Sequence, residues 1–192
     1  MPLLQVILGS PRPNRSSPAI GAWFVDQARA HGGFDVEAID LAEVNLPFID
    51  EPAHPRLKQY TQPHTIAWSE RISRGDAYVF VTPEYNFGTS PLLLNALDYL
   101  LHEWAYKAAG IVSYGGVSGG TRAAQMLKQV LTTLKIMPMY EAVAVPFFAQ
   151  YMDKETGNFA PGATQDAAAK TMLDELAKWD GALRTLRGKG LR

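Results

Sequence analysis

Apolar and polar positions along the chain follow two alternating rhythms. Mostly apolar runs with β-branched or aromatic content read as strands covered on both faces: residues 3–8, 77–81, 109–114 and 142–145. Residues 34–39 alternate instead, as a strand with one drier face. Between these runs apolar residues recur three and four apart, the period of a half-buried helix. One such stretch opens at Ser17-Pro18, places Ile20, Phe24, Val25 and Ala28 on one face and stops at Gly32-Gly33. A second runs from about Pro63 to Ser73. A third opens at Ser90-Pro91, with Ser as N-cap and Pro at the first helical position, and extends to about Trp104. A fourth covers Thr121 to Leu134. In the last, Thr164 serves as cap, and Met172, Leu173, Leu176, Leu183 and Leu186 face inward. Prolines at 47, 52, 55 and 63 mark the stretch from Asp40 to Pro63 as a long connection.

Strands that alternate with helices predict a parallel sheet, because parallel neighbours need a crossover on the way back. The expectation is one α/β domain over residues 1–192: a doubly wound sheet of five parallel strands with helices on both faces. Such sheets bind ligands beyond the carboxyl ends of their strands, so the loops after the first, third and fourth strands matter most. The first, Gly9-Ser10-Pro11-Arg12-Pro13-Asn14-Arg15-Ser16-Ser17, combines hydroxyls, two guanidinium groups and the N–H groups of a helix start. That is the donor set a phosphate dianion wants. The second, Thr82-Pro83-Glu84-Tyr85-Asn86-Phe87-Gly88, offers aromatic rings to flank a planar ring system and peptide N–H groups for its electron-rich edge. The third, Tyr114-Gly115-Gly116-Val117-Ser118-Gly119-Gly120-Thr121-Arg122, lets bare backbone approach a ligand closely. Together they point to a flavin site.

Charge and composition then remove alternatives. A formal net charge of -1 gives no field to attract nucleic acid or anionic lipid. With no cysteine, disulfides, thiolate metal sites and thiol nucleophiles are excluded. The histidines at 31, 54, 64 and 102 have no metal-ligand spacing. They also all precede Ser118, so the G-x-S-x-G match at 116–120 lacks the downstream His that a nucleophile elbow needs. No G-x-G-x-x-G follows the first strand, and there is no phosphate-binding G-x-x-x-x-G-K-[ST]. No apolar stretch reaches the roughly 18 residues of a membrane span, and residues 1–8 lack the basic region of a secretory signal. A cytoplasmic protein is expected. The third helix is apolar around most of its circumference through Leu92, Leu93, Leu94, Leu97, Tyr99, Leu100, Leu101 and Trp104. Its surplus face predicts deep core or a partner surface, and a homodimer is expected.

The three loops, in this order and setting, resemble the NADPH-dependent FMN reductase family with its flavodoxin-like fold. The matching pieces are Gly9-Ser10-Pro11-Arg12, Thr82 to Asn86 with Asn95-Ala96-Leu97-Asp98, and Ser113 to Ala123, within a resemblance that spans about residues 3 to 146. The resemblance implies bound FMN, with NADPH or NADH as hydride donor and a flavin, quinone or azo compound as acceptor, in dimers or tetramers. It implies phosphate binding by Ser10, Arg12, Arg15, Ser16 and Ser17. Pro83, Glu84, Tyr85, Asn86 and Phe87 would line the isoalloxazine, approached from the other loop by Tyr114, Gly115 and Gly116. No catalytic side chain and no metal are implied. Leu94 stands where the family often has Lys, and Gly88-Thr89-Ser90 departs from its usual short polar link. Residues 153–162 are read as an insertion that covers a neighbouring site.

Overall fold

A computed structural model describes residues 1–187. Its sheet is parallel throughout, built from β1 (Leu3–Leu8), β2 (Asp35–Asp40), β3 (Ala77–Pro83), β4 (Ala108–Tyr114), β5 (Met137–Pro138) and β6 (Val143–Val145). The order is β2-β1-β3-β4, and the outer edge of β4 is shared. Ala108 and Ala109 pair with β5, whereas Val112 to Tyr114 pair with β6. The fifth strand expected at 142–145 is present as β6, and β5 is a short additional strand before it. The ladder to β4 runs on through Met139, whose N–H donates to the Ala109 carbonyl at 2.9 Å, and the chain then leaves the sheet until Val143.

The helices are α1 (Ser17–His31), α2 (Leu41–Val44), α3 (Pro63–Ser73), α4 (Pro91–Asp98), α5 (Thr121–Thr133) and α6 (Ala163–Leu183). Successive side chains of a strand point to opposite faces, and β3 shows both layers at once. Ala77, Val79 and Val81 join α1 and α6 on one side, while Tyr78 and Phe80 join α3, α4 and α5 on the other. The face expected of α1, from Ile20 to Ala28, is buried, and Gly32 at φ 74° ends that helix. No helix among the described residues is long and apolar enough to cross a membrane.

Several element boundaries depart from expectation. β2 begins at Asp35 and not at Phe34. α4 stops at Asp98, six residues short of Trp104. The cause is a pair of buried indoles: Trp68 donates to the Ala96 carbonyl at 3.0 Å and Trp104 to that of Leu97 at 3.2 Å. With carbonyls of its last turn satisfied from outside, the helix can end without further turns. The long connection also has local structure, α2 and a 3-10 turn at Pro55–Leu57. It lies over α4, where the Pro47 carbonyl accepts from Asn95 at 2.7 Å and from the Tyr99 hydroxyl at 3.1 Å. Much of the surplus apolar face of α4 is thus covered by the chain itself, with Leu92, Leu101 and Tyr60 packed on the core. Gly162, not Thr164, is the N-cap of α6, and Leu186 is exposed while Leu183 is buried. Residues 153–162 fold back on α1 through Phe159, edge-on to Trp23 at 5.7 Å.

Candidate functional site

Backbone hydrogen bonds draw the three carboxyl-end loops together. Gly9 N–H donates to the Val81 carbonyl at 2.9 Å, Glu84 N–H to that of Tyr114 at 3.1 Å and Gly115 N–H to that of Val145 at 3.3 Å. Ser10 Oγ and the Tyr85 hydroxyl are 2.8 Å apart, joining the first loop to the second.

In the first loop Ser10 and Ser17 are buried, Arg15 and Ser16 half-buried and Arg12 exposed. Arg15 forms an ion pair with Asp40, at the end of β2, at 2.6 Å, yet its Nε is buried with no acceptor among the described residues. Ser16 caps α1 through its carbonyl, which accepts from Ile20 N–H at 3.1 Å, and not through its side chain. The Ser17 hydroxyl is buried without hydrogen-bond geometry to any described residue. Nor do the N–H groups of Arg12, Arg15, Ser16 and Ser17 find protein acceptors among the described residues. These are unpaired donors gathered at the positively polarised start of a helix.

The second loop is a two-residue turn. Tyr85 and Gly88 exchange both backbone hydrogen bonds at 2.9 Å, and Asn86 and Phe87 between them have φ 49° and 70°. Positive φ at both central positions is the signature of the I′ turn, which Asn-Gly normally supplies. Here Phe takes the glycine position, with its ring exposed and the Arg122 guanidinium 3.9 Å from the ring centre. The Glu84 side chain is largely buried and accepts from Arg122 Nε at 2.8 Å and from Arg122 N–H at 3.2 Å. Burial alone would raise its pKa, but hydrogen bonds from Arg122 and Ser118 hold the carboxyl below its usual range. Pro83 is buried as the last residue of β3.

In the third loop Tyr114 is buried, edge-on to Phe148 at 5.1 Å. Burial pushes its hydroxyl well above the usual range, although proximity to Ser10 and Ser17 acts in the opposite direction. It lies beside Ser10 and Ser17 of the first loop; Gly116 is the exposed glycine of the third loop, whereas Gly115 is buried against Glu84 and Gly120. A Cβ on Gly116 would meet nothing within 4 Å, whereas one on Gly120, at φ 80°, would lie 2.6 Å from the Tyr114 nitrogen. Ser118 Oγ accepts from Gly120 N–H at 3.3 Å and serves the turn. Beside the second loop, Thr121, Arg122, Gln125, Met126 and Gln129 line an open cavity of about 540 Å³.

Against known proteins, residues 2–150 match the family model described as NADPH-dependent FMN reductase. The chain belongs to that family. It is 44% identical over 149 residues to an NAD(P)H-dependent FMN reductase of Schizosaccharomyces pombe, a match that covers 76% of this chain and 74% of that one. An NADPH:quinone oxidoreductase of Arabidopsis thaliana is 35% identical over 114 residues, 52% of this chain and 58% of its own. Among solved structures, the flavoenzyme NAD(P)H:(acceptor) oxidoreductase FerB of Paracoccus denitrificans superposes with a TM-score of 0.73. It is 20% identical and covers 95% of this chain and 98% of its own.

The residues expected at the site lie on the three segments that the fold brings together at the carboxyl edge, with Pro83 and Tyr114 closing β3 and β4 and Ser17 opening α1. Two partners escaped the sequence reading as site residues. Arg122 stood inside a glycine-rich stretch, and the signal for it was its place at a helix start beside that loop. Asp40 carries no local signal at all, because only the β1–β2 pairing brings it to Arg15.

Proposed function

We propose that this chain is an FMN-dependent oxidoreductase that takes hydride from NADPH or NADH and delivers it to a small acceptor: a flavin, a quinone or an azo compound. The observation that carries the reading is the set of unsatisfied donors in the first loop. Buried polar groups normally find partners, and here the Ser17 hydroxyl, Arg15 Nε and several N–H groups of one loop have none among the described residues. A phosphate dianion satisfies such a set through charge-assisted hydrogen bonds and the start of α1. The donor chemistry thus fits FMN.

In this reading Ser10, Arg12, Arg15, Ser16 and Ser17 hold the phosphate, with Asp40 fixing the Arg15 guanidinium. Pro83, Glu84, Tyr85, Asn86 and Phe87 form one wall of the ring site, and Gly115 and Gly116 admit the ring on the other side, with Tyr114 beneath. When bound, FMN supplies the two-electron chemistry, so the protein need not place an acid or base. What the chain contributes is orientation and N–H dipoles at fixed positions. We also propose that it works as a cytoplasmic homodimer or homotetramer. Phe48 and Ile49 stay exposed beside the covered part of α4, which supports assembly there. Light scattering during gel filtration would distinguish this from the 21.1 kDa of a single chain.

Anaerobic mixing of the FMN-loaded protein with NADPH should bleach the flavin absorbance, and a quinone should restore it over repeated turnovers. A spectrum that stays oxidised with both nicotinamides removes the reductase. Bleaching without turnover on any acceptor leaves an electron carrier instead.

A further inference from the structure

Asn86 and Phe87 both occupy the left-handed region, at φ 49° and 70°, and neither is glycine. Backbone of this kind persists only where the surroundings over-determine it. Here one guanidinium does so from both ends of the turn. Arg122 donates through Nε to Glu84 Oε1 at 2.8 Å and through its backbone N–H to Oε2 at 3.2 Å, with Nη2 in ion-pair contact with Oε1 at 2.8 Å. The face of the same group covers the Phe87 ring at 3.9 Å. Arg122 itself stands on α5, behind the tightly packed Gly120, so it is anchored to the sheet independently of the turn. The N–H groups of Asn86 and Phe87 have no protein acceptor among the described residues and are left to donate to a ligand.

We propose that Arg122 is a positioning residue whose grip on Glu84 and Phe87 holds the 85–88 turn in its left-handed form, and through that turn sets how strongly the site prefers reduced over oxidised flavin. The proposal rests on the FMN reading above. Reduction puts negative charge on the ring, and fixed N–H donors stabilise that charge without having to reorganise. A turn released by loss of Arg122 can relax out of the left-handed region and withdraw those donors. The reduced form then loses more affinity than the oxidised form. The phosphate end, held by another loop, is not involved.

The test compares wild type with Arg122→Met, Arg122→Lys, Glu84→Gln and the double variant Phe87→Gly/Arg122→Met. Dissociation constants for FMN and riboflavin are read from flavin fluorescence, and midpoint potentials from spectra equilibrated with reference dyes. Arg122→Met should lose about tenfold more affinity for the reduced than the oxidised form, which lowers a two-electron potential by about 30 mV. FMN and riboflavin should weaken by the same factor. Arg122→Lys should resemble Arg122→Met, because an ammonium lacks both the fork and the planar face. Glycine adopts φ 70° unaided, so the double variant should recover most of the potential, which loss of general stability could not explain.

An unchanged potential in Arg122→Met overturns the proposal, as does weakening confined to FMN. Should Arg122→Met not fold, an unshifted potential in Glu84→Gln overturns it equally. A wild-type protein that binds no flavin removes the functional reading and this proposal together. One that binds and is bleached by NADPH, with variants unaltered in potential, removes this proposal alone.

Discussion

The Ser17 hydroxyl and Arg15 Nε are buried without a partner among the described residues, and a polar group left unpaired contributes nothing to the stability of the fold. Ser17→Ala should therefore leave thermal stability unchanged or raise it by up to about 1 kcal/mol, while FMN binding weakens roughly tenfold, about 1.4 kcal/mol. Paired denaturation and fluorescence titrations read the two effects, and parallel losses in both would count against the phosphate assignment. At Gly120 the opposite balance holds. A Cβ there would sit 2.6 Å from the Tyr114 nitrogen at φ 80°, so Gly120→Ala should lower stability by about 2 kcal/mol or more; a urea midpoint equal to wild type would refute the packing argument. Ser10, Arg15 and Ser17 could be singled out from sequence because hydroxyls and guanidiniums cluster at a helix start, although alone that pattern equally suits a capped turn. The left-handed Phe87 could not, since in sequence an Asn-Phe pair gives none of the signal of Asn-Gly.

Elements were legible where local chemistry decides them. Gly32 ends α1 as its place after the apolar stripe implies, and Pro63 and Pro91 sit in the first turns of α3 and α4. They were illegible where distant side chains decide, as with the indoles of Trp68 and Trp104 that let α4 finish early. A similar long-range device lies just before β4. Lys107 is buried, and its ammonium donates to the Ile72 carbonyl at 3.1 Å and the Tyr78 hydroxyl at 2.9 Å. Burial and the charge of Arg187 bring its pKa down from 10.5 to about 7, against the pull of Asp76 and Glu103. Above pH 7, up to the value of a free lysine, the unfolded chain keeps a proton that the folded chain gives up, so stability rises with pH there. Tyr78, raised by burial, acts the other way above pH 10. Urea unfolding between about pH 7 and 9 should show a rise approaching 1 kcal/mol per pH unit, which Lys107→Met flattens. A wild-type curve level across that range would mean that the ammonium keeps its proton.

For the molecule as a whole, a parallel sheet with helices on both faces followed from the alternation of strand and helix signals, because parallel neighbours need crossovers, whereas the order β2-β1-β3-β4 did not. Nor did β5, since Met137-Pro138 is too short to stand out and its pairing depends on β4. The shared outer edge of β4 also shapes what the sheet presents to other molecules. One border offers only two- and three-residue stretches, and the border on the far side carries Asp35, Glu37 and Asp40. Short, interrupted or acidic margins are poor templates for edge-to-edge growth. Heated or aged solutions of this protein should accordingly cloud, if they cloud at all, as amorphous precipitate that leaves thioflavin dark, without the lag and seeding of amyloid.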